Sequence, residues 1–184
     1  MNKQRILLAL VIAVLLAGAA VLPAQQTRIS PHETISAVVE KNRVTVVYGR
    51  PYSKDPKSGE IRKIWGTLVP YDKIWRVGAD EATLFITQQP LMVGGTELPA
   101  GAYTLFMLPS ADGPSKLVFN KQLGQWGLQY DQKQDFARVD LAKSDVDPQV
   151  DQFTMSIAAN PAGGGVLKLI WEKTVFSLTF TLKK

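Results

Sequence analysis

The 184-residue chain has no cysteine and one histidine, His32. Without cysteine there are no disulfide staples, thiolate metal sites, cysteine nucleophiles or lipidated cysteine anchors. One histidine leaves no multi-histidine metal centre within a single chain. There is no G-x-S-x-G or H-E-x-x-H motif, and the run Gly163-Gly164-Gly165 lacks the Lys-Ser/Thr partner and following helix of a phosphate loop. No polybasic run follows residue 24, so nothing points to nucleic acid or an anionic lipid surface as partner. No cofactor or metal is expected. What remains is 46% hydrophobic and 20% charged, the composition of an ordinary globular domain.

Residues 1–24 read as a secretory signal. Lys3 and Arg5 form a positive start, an unbroken apolar run follows over 6–16, and Ala20 and Ala24 offer small residues for cleavage, with Ala24 preferred. The alternative is an uncleaved membrane anchor, for which the apolar span is at the short limit. The formal charge of +5 partly belongs to this leader; without Lys3 and Arg5, 19 basic residues face 16 acidic ones. The expectation is a periplasmic or secreted protein, away from the membrane after cleavage, with residues 25–184 as a single domain.

Period-two alternation dominates that domain. Strands are expected over 34–39 and 44–48 with a turn at Lys41-Asn42, then over 83–87, 91–93, 96–98, 102–108, 116–120, 136–141 and 153–158. A last pair is expected over 167–171 and 176–182, with Glu172-Lys173 as its turn. Pro99, Pro109, Pro114, Pro148 and Pro161 are placed between strands, where proline does least harm to a ladder. About nine or ten mostly antiparallel strands in one domain predict an all-β sandwich, with a closed barrel as the alternative. Residues 50–62 and 63–82 interrupt the rhythm, and long irregular segments on a rigid β scaffold are where binding groups tend to sit.

These segments and their surroundings carry a family resemblance. Ser30-Pro31, Tyr48-Gly49-Arg50-Pro51, Trp65-Gly66-Thr67-Leu68-Val69-Pro70-Tyr71 and the run from Trp75 to Thr83 come in order. The run from Leu98 to Leu105, Asn120-Lys121, Trp126-Gly127 and Trp171-Glu172-Lys173 follow. Together they resemble the bacterial secreted family catalogued as domain of unknown function 2911, over nearly the whole predicted mature chain. The run from Trp75 to Thr83 is the most specific part, and Asp80 departs from it: the family pattern has asparagine there. The resemblance implies a single secreted domain and brings no activity with it.

Arg50, Arg76, Asp80 and Glu81 are the leading candidate site. Arginine presents a planar fork suited to anionic or sugar-like ligands. The competing reading is internal pairing, Arg76 with Glu81 and Arg50 with Asp80, pinning a loop to the sandwich. Trp65, Trp75, Trp126 and Tyr130 offer stacking faces, against the commoner role of aromatic packing; Trp75 and Trp126 join the candidate set. His32 reads as a surface residue. Asp145, Asp147 and Asp151 read as a solvated acidic turn, since Val150 and Ser156 stand where a calcium loop needs glycine and glutamate. Asp80 and Glu81 are adjacent, so on a regular strand they face opposite ways; only irregular backbone lets them share a cleft.

The expected function is a non-catalytic binding or interaction module for a small polar or saccharide-like ligand or an envelope component. One alternative is a hydrolase using Glu81 or Asp80 as acid/base; another is an envelope structural protein. Oligomeric state and ligand identity are not encoded in any recognisable motif.

Overall fold

In the computed structural model the described residues are 28–183, so the predicted leader lies outside them. They form ten strands and one short 3-10 turn. Among the described residues no helix is long and apolar enough to cross a membrane.

The first hairpin joins β1 (His32–Val39) to β2 (Asn42–Gly49). Its turn is Glu40-Lys41, one residue earlier than expected. Both residues have positive φ, 48° and 70°, the handedness that matches hairpin twist. Asn42 belongs to the strand because its side chain is buried there. It donates to Thr87 Oγ1 at 2.9 Å and accepts from the Gln88 and Gln89 backbone N–H groups.

Strands β3 (Thr83–Thr87), β4 (Leu91–Val93), β5 (Thr96–Leu98) and β7 (Lys116–Asn120) lie where the alternation places them. β6 (Gly101–Leu108) and β8 (Asp135–Asp140) shift by one residue at their ends. The larger differences are in β9 (Ala142–Ala159) and β10 (Gly165–Leu182), which are 18 residues each. Glu172-Lys173 does not turn the chain. β10 runs straight through it, with register irregularities against β9 on both sides of Glu172, whose φ is 53°. A bulge explains the pattern that suggested a turn, because an extra residue switches which parity faces the core. Leu167, Leu169 and Trp171 are buried before it, and Phe176, Leu178 and Phe180 after it. Pro148 and the acidic residues Asp145, Asp147 and Asp151 likewise lie within β9 and not in a turn between strands. β9 is an edge strand, and Pro148 falls in the irregular stretch opposite Lys173, where no ladder hydrogen bond is lost.

The strands form two antiparallel sheets, ordered β1-β2-β3-β6-β7-β8 and β5-β4-β10-β9. This is a β-sandwich and not a closed barrel. Its core sits between the sheets. Val44, Val46, Phe85, Leu105 and Phe119 from the larger sheet meet Phe153, Met155, Leu169, Trp171 and Phe180 from the smaller, all at 2% exposure or less. Burying a side chain of this kind contributes about 1.5–3 kcal/mol. Beyond β2 the chain stays beside β9: Phe153 N–H donates to Pro51 O and Ser53 N–H to Asp151 O, so the two sheets are joined at this side.

One part of the outer face is also sealed. Phe106 and Val118 have the outward parity, opposite to core residues Leu105 and Leu117, yet both are 0% exposed. The connection over 121–131 folds across them, bringing the Tyr130 ring to 4.8 Å from that of Phe106. On the same outer face, Thr34, Val47, Leu84, Thr104 and Asn120 form one registered row across five strands. The candidate site lies where this row meets the covering connection.

Candidate functional site

The run from Trp75 to Thr83 is anchored at both ends. Trp75 exchanges both backbone hydrogen bonds with Met107 at 2.8 Å, and Thr83 starts β3. Between them the backbone is unusual: Val77 has φ 56°, Gly78 148° and Asp80 64°. A β-branched residue in the left-handed region is a strained one, kept there only by its surroundings. Those surroundings are close. Thr83 Oγ1 donates to Val77 O at 2.6 Å, Ala79 N–H to Gly49 O at 3.2 Å, and Gly127 N–H to Asp80 O at 3.0 Å. Gly49 and Gly127 permit the approach. A Cβ on Gly49 would sit 2.2 Å from Ala79 O, and one on Gly127 2.1 Å from the Arg76 stem.

The irregular backbone at Asp80 does what a regular strand would prevent. Asp80 Oδ2 lies 3.2 Å from His32 Nε2, and Glu81 Oε2 lies 3.4 Å from the same nitrogen. Both neighbours are acceptors, so Nε2 carries the hydrogen. His32 is therefore part of the corner and not an isolated surface residue. It arrives there through hairpin register: His32 pairs with Gly49, which packs on Ala79. Arg28, just upstream, forms an ion pair with Glu81 Oε1.

The candidate arginines have other partners than those foreseen. Neither Arg76–Glu81 nor Arg50–Asp80 is among the ion pairs of the described residues. Arg50 pairs with Glu33 at 2.9 Å, donates from Nε to Phe153 O at 3.1 Å and from Nη2 to Thr154 Oγ1 at 2.7 Å. It fastens β1 and β2 to β9, a structural use. Glu33 also accepts from the Tyr48 hydroxyl at 3.0 Å, and burial pushes that phenol up to about 12. Arg76 lies along Gly127, its Nε buried without a hydrogen-bond partner among the described residues. Burial pulls its pKa below the ordinary value while the Asp80 carboxylate acts the other way.

The aromatic candidates divide. Trp75 is stacked on Trp171 at 5.9 Å and meets Trp65 and Phe153 edge-on, so its faces are taken up by packing. Tyr130 is held against Phe106 and donates to Asp135 Oδ2 at 2.6 Å. Trp126 is different: it is 41% exposed, and its backbone bridges Glu81.

Two cavities flank the corner, one reaching Asp80 and the other Glu81. One, of about 370 Å³, is polar and is lined by Ser30, Tyr52, Asp55, Lys57, Arg62 and Asp80. Within it Arg62 pairs with Asp55 at 3.8 Å, and backbone N–H groups of Ser58 and Lys57 hold the Asp55 pKa below its usual value. The other, of about 230 Å³, lies on the outer sheet face. His32, Glu81, Gln125 and Thr104 line it together with Val47 and Leu84. Gln125 is 7% exposed, yet neither Nε2 nor Oε1 has a hydrogen-bond partner among the described residues. Glu81 Oε2 is also buried without a hydrogen bond there, its contact with His32 being an ion-pair distance only. Buried polar atoms are nearly always paired, so this grouping marks the cavity out. No charge or motif singles out Gln125 in the sequence; its neighbours Trp126-Gly127 were the nearest signal. Among the described residues no three His, Asp or Glu side chains are grouped to hold a metal ion.

A family model described as protein of unknown function, DUF2911, matches residues 30–180. The chain belongs to this family. The matched span takes in all of this DUF2911 corner except Arg28. Comparison with curated proteins and with solved structures returns no match.

Proposed function

We propose that this DUF2911 protein is a secreted or periplasmic, non-catalytic binding domain for a small polar ligand, held in the outer-face cavity between Glu81 and Gln125. Residues 1–24 serve as the cleaved signal. The observation carrying the reading is Gln125: a buried carboxamide with both polar atoms unpartnered, lining a cavity beside an unpartnered carboxylate oxygen. Leaving such groups unmet costs about 1–3 kcal/mol each, and a ligand that pairs with them recovers it. Arg76 acts indirectly, by bracing the backbone that presents Asp80 and Glu81.

A thermal-shift panel of sugars, cell-wall fragments, anionic metabolites and divalent metals tests this on the wild type, Gln125→Leu and Arg76→Ala. A ligand at a hundredfold excess over its Kd stabilises by about 2.7 kcal/mol, well within such an assay. A hit on the wild type that disappears in folded Gln125→Leu supports the reading. A flat panel, or a hit indifferent to Gln125, overturns it.

A second reading is favoured by the His32 contacts: a hydrolase in which Glu81 or Asp80 is acid/base and His32 orients it. Glu81→Gln would then abolish turnover while the fold and ligand binding survive. An envelope structural role would instead show a concentration-dependent oligomer with no ligand response.

A further inference from the structure

Building on the binding reading above, we infer that the ligand class of the outer-face cavity is a single polyhydroxylated ring of sugar size, neutral or amino-substituted, and that acidic sugars are rejected. The unmet groups define what must enter. Gln125 Oε1 and Glu81 Oε2 need donors, while Gln125 Nε2 needs an acceptor. A ligand that meets all three brings at least two donors and one acceptor. Adjacent ring hydroxyls do this, since each both donates and accepts. A carboxylate, or a fully ionised phosphate, offers acceptors only and sets lone pairs against Gln125 Oε1 and Glu81 Oε2. A simple ammonium offers donors only and leaves Gln125 Nε2 unmet.

The remaining walls agree. Val47 and Leu84, neighbours in the registered row, give the cavity an apolar floor, against which the C–H face of a ring packs. The cavity, about 230 Å³, lies below the ~300–1,000 Å³ usual for drug-sized ligands, room for one ring and not an oligomer. Charge at the lining points the same way: Glu81 lines the cavity, whereas neither Arg50 nor Arg76 does, Arg76 interacting instead with Asp80. Arg28, the cation on Glu81, pairs with Oε1 and leaves Oε2 buried without a hydrogen bond among the described residues.

The test is a calorimetric or NMR titration with the methyl glycosides of glucose, galactose and mannose, with glucosamine, and with glucuronate. The inference expects saturable binding of at least one neutral or amino sugar, weakened about tenfold or more in Gln125→Leu through loss of a buried polar pairing. It expects glucuronate to bind at least about tenfold more weakly than methyl glucoside, from like charges meeting in a partly desolvated site. Glucuronate binding as tightly as the neutral sugar overturns the inference. Silent sugars alongside a non-sugar probe that binds through Gln125 also overturn it, while the site assignment above stands. Sugar binding unaffected by Gln125→Leu overturns both. Gln125→Glu supplies a second variant, checked first for fold by circular dichroism: it keeps the side-chain shape, removes the donor and adds a second carboxylate, and is expected to weaken every neutral sugar.

Discussion

The two faces of the larger sheet are built on opposite terms. The inner face is a closed apolar interface in which Phe153 touches Tyr48, Trp75 and Trp171 with ring centroids 5.2–5.8 Å apart. Among polar groups at its margin the buried Trp65 Nε1 lacks a partner among the described residues, but others are paired. Tyr48 OH, for example, both donates to Glu33 and accepts from Met155 N–H. The outer corner holds left-handed Asp80, a Gln125 amide and a Glu81 oxygen without hydrogen bonds among the described residues, and a half-exposed tryptophan, while the left-handed Val77 that leads into it is itself buried in the core. Apolar packing is concentrated on one side of the sheet, and most of the unmet hydrogen-bonding capacity on the other. Strain and unsatisfied groups persist where the rest of the fold over-determines them, and they cluster at sites.

The contrast breaks most visibly from the inner side. Phe153→Ala is expected to cost about 3–5 kcal/mol, read as a drop in the urea midpoint with little change in slope. Next comes the hinge between the two regions. Gly49→Ala drives a Cβ into the Ala79 carbonyl, with an expected cost of about 1–3 kcal/mol. Because Ala79 leads into Asp80, this variant is also expected to lose ligand response out of proportion to its stability. An unchanged response in folded Gly49→Ala would mean that the Gly49 contact does not position the corner.

How far the sequence could be read follows the same division. Inward-facing alternation located eight strands closely, because burial on one face enforces period two. It failed at Glu172, where a bulge reverses parity without reversing the chain, and at Pro148, which an edge strand tolerates. The acids and arginines of the corner were identifiable as a group, but not their pairing. A turn at Lys41-Asn42 would set His32 opposite Pro51; the observed turn sets it opposite Gly49 and so beside Asp80. That one-residue difference, decided by the buried hydrogen bonds of Asn42, hid His32. Gln125 was hidden for another reason: an uncharged amide reveals itself only by being buried and unpaired.

A smaller effect sharpens the contrast at the rim. Asp151 accepts from Ser53 Oγ at 2.5 Å and from Lys54 N–H at 2.9 Å, and the Ser53 hydroxyl is the main reason its pKa is lowered in the folded protein. A depressed carboxyl pKa contributes stability above the unfolded value of about 3.9, lost as pH falls through the folded value. Asp151→Asn should therefore lower stability at neutral pH and flatten the acid limb of the stability curve. The group is largely exposed, so after solvent screening the change is expected to stay below about 1 kcal/mol. A pH-stability series on both proteins checks it.

The most direct measurement is the urea unfolding free energy of Gln125→Leu against wild type, without any ligand. If the Gln125 amide is kept for a ligand and not for the fold, replacing it with an apolar side chain of similar size leaves stability unchanged or raises it by up to about 1–2 kcal/mol, since a buried unpaired group is removed. A loss of more than about 1 kcal/mol would show that the amide supports the fold, and the division between the two faces would fail at the residue on which it rests.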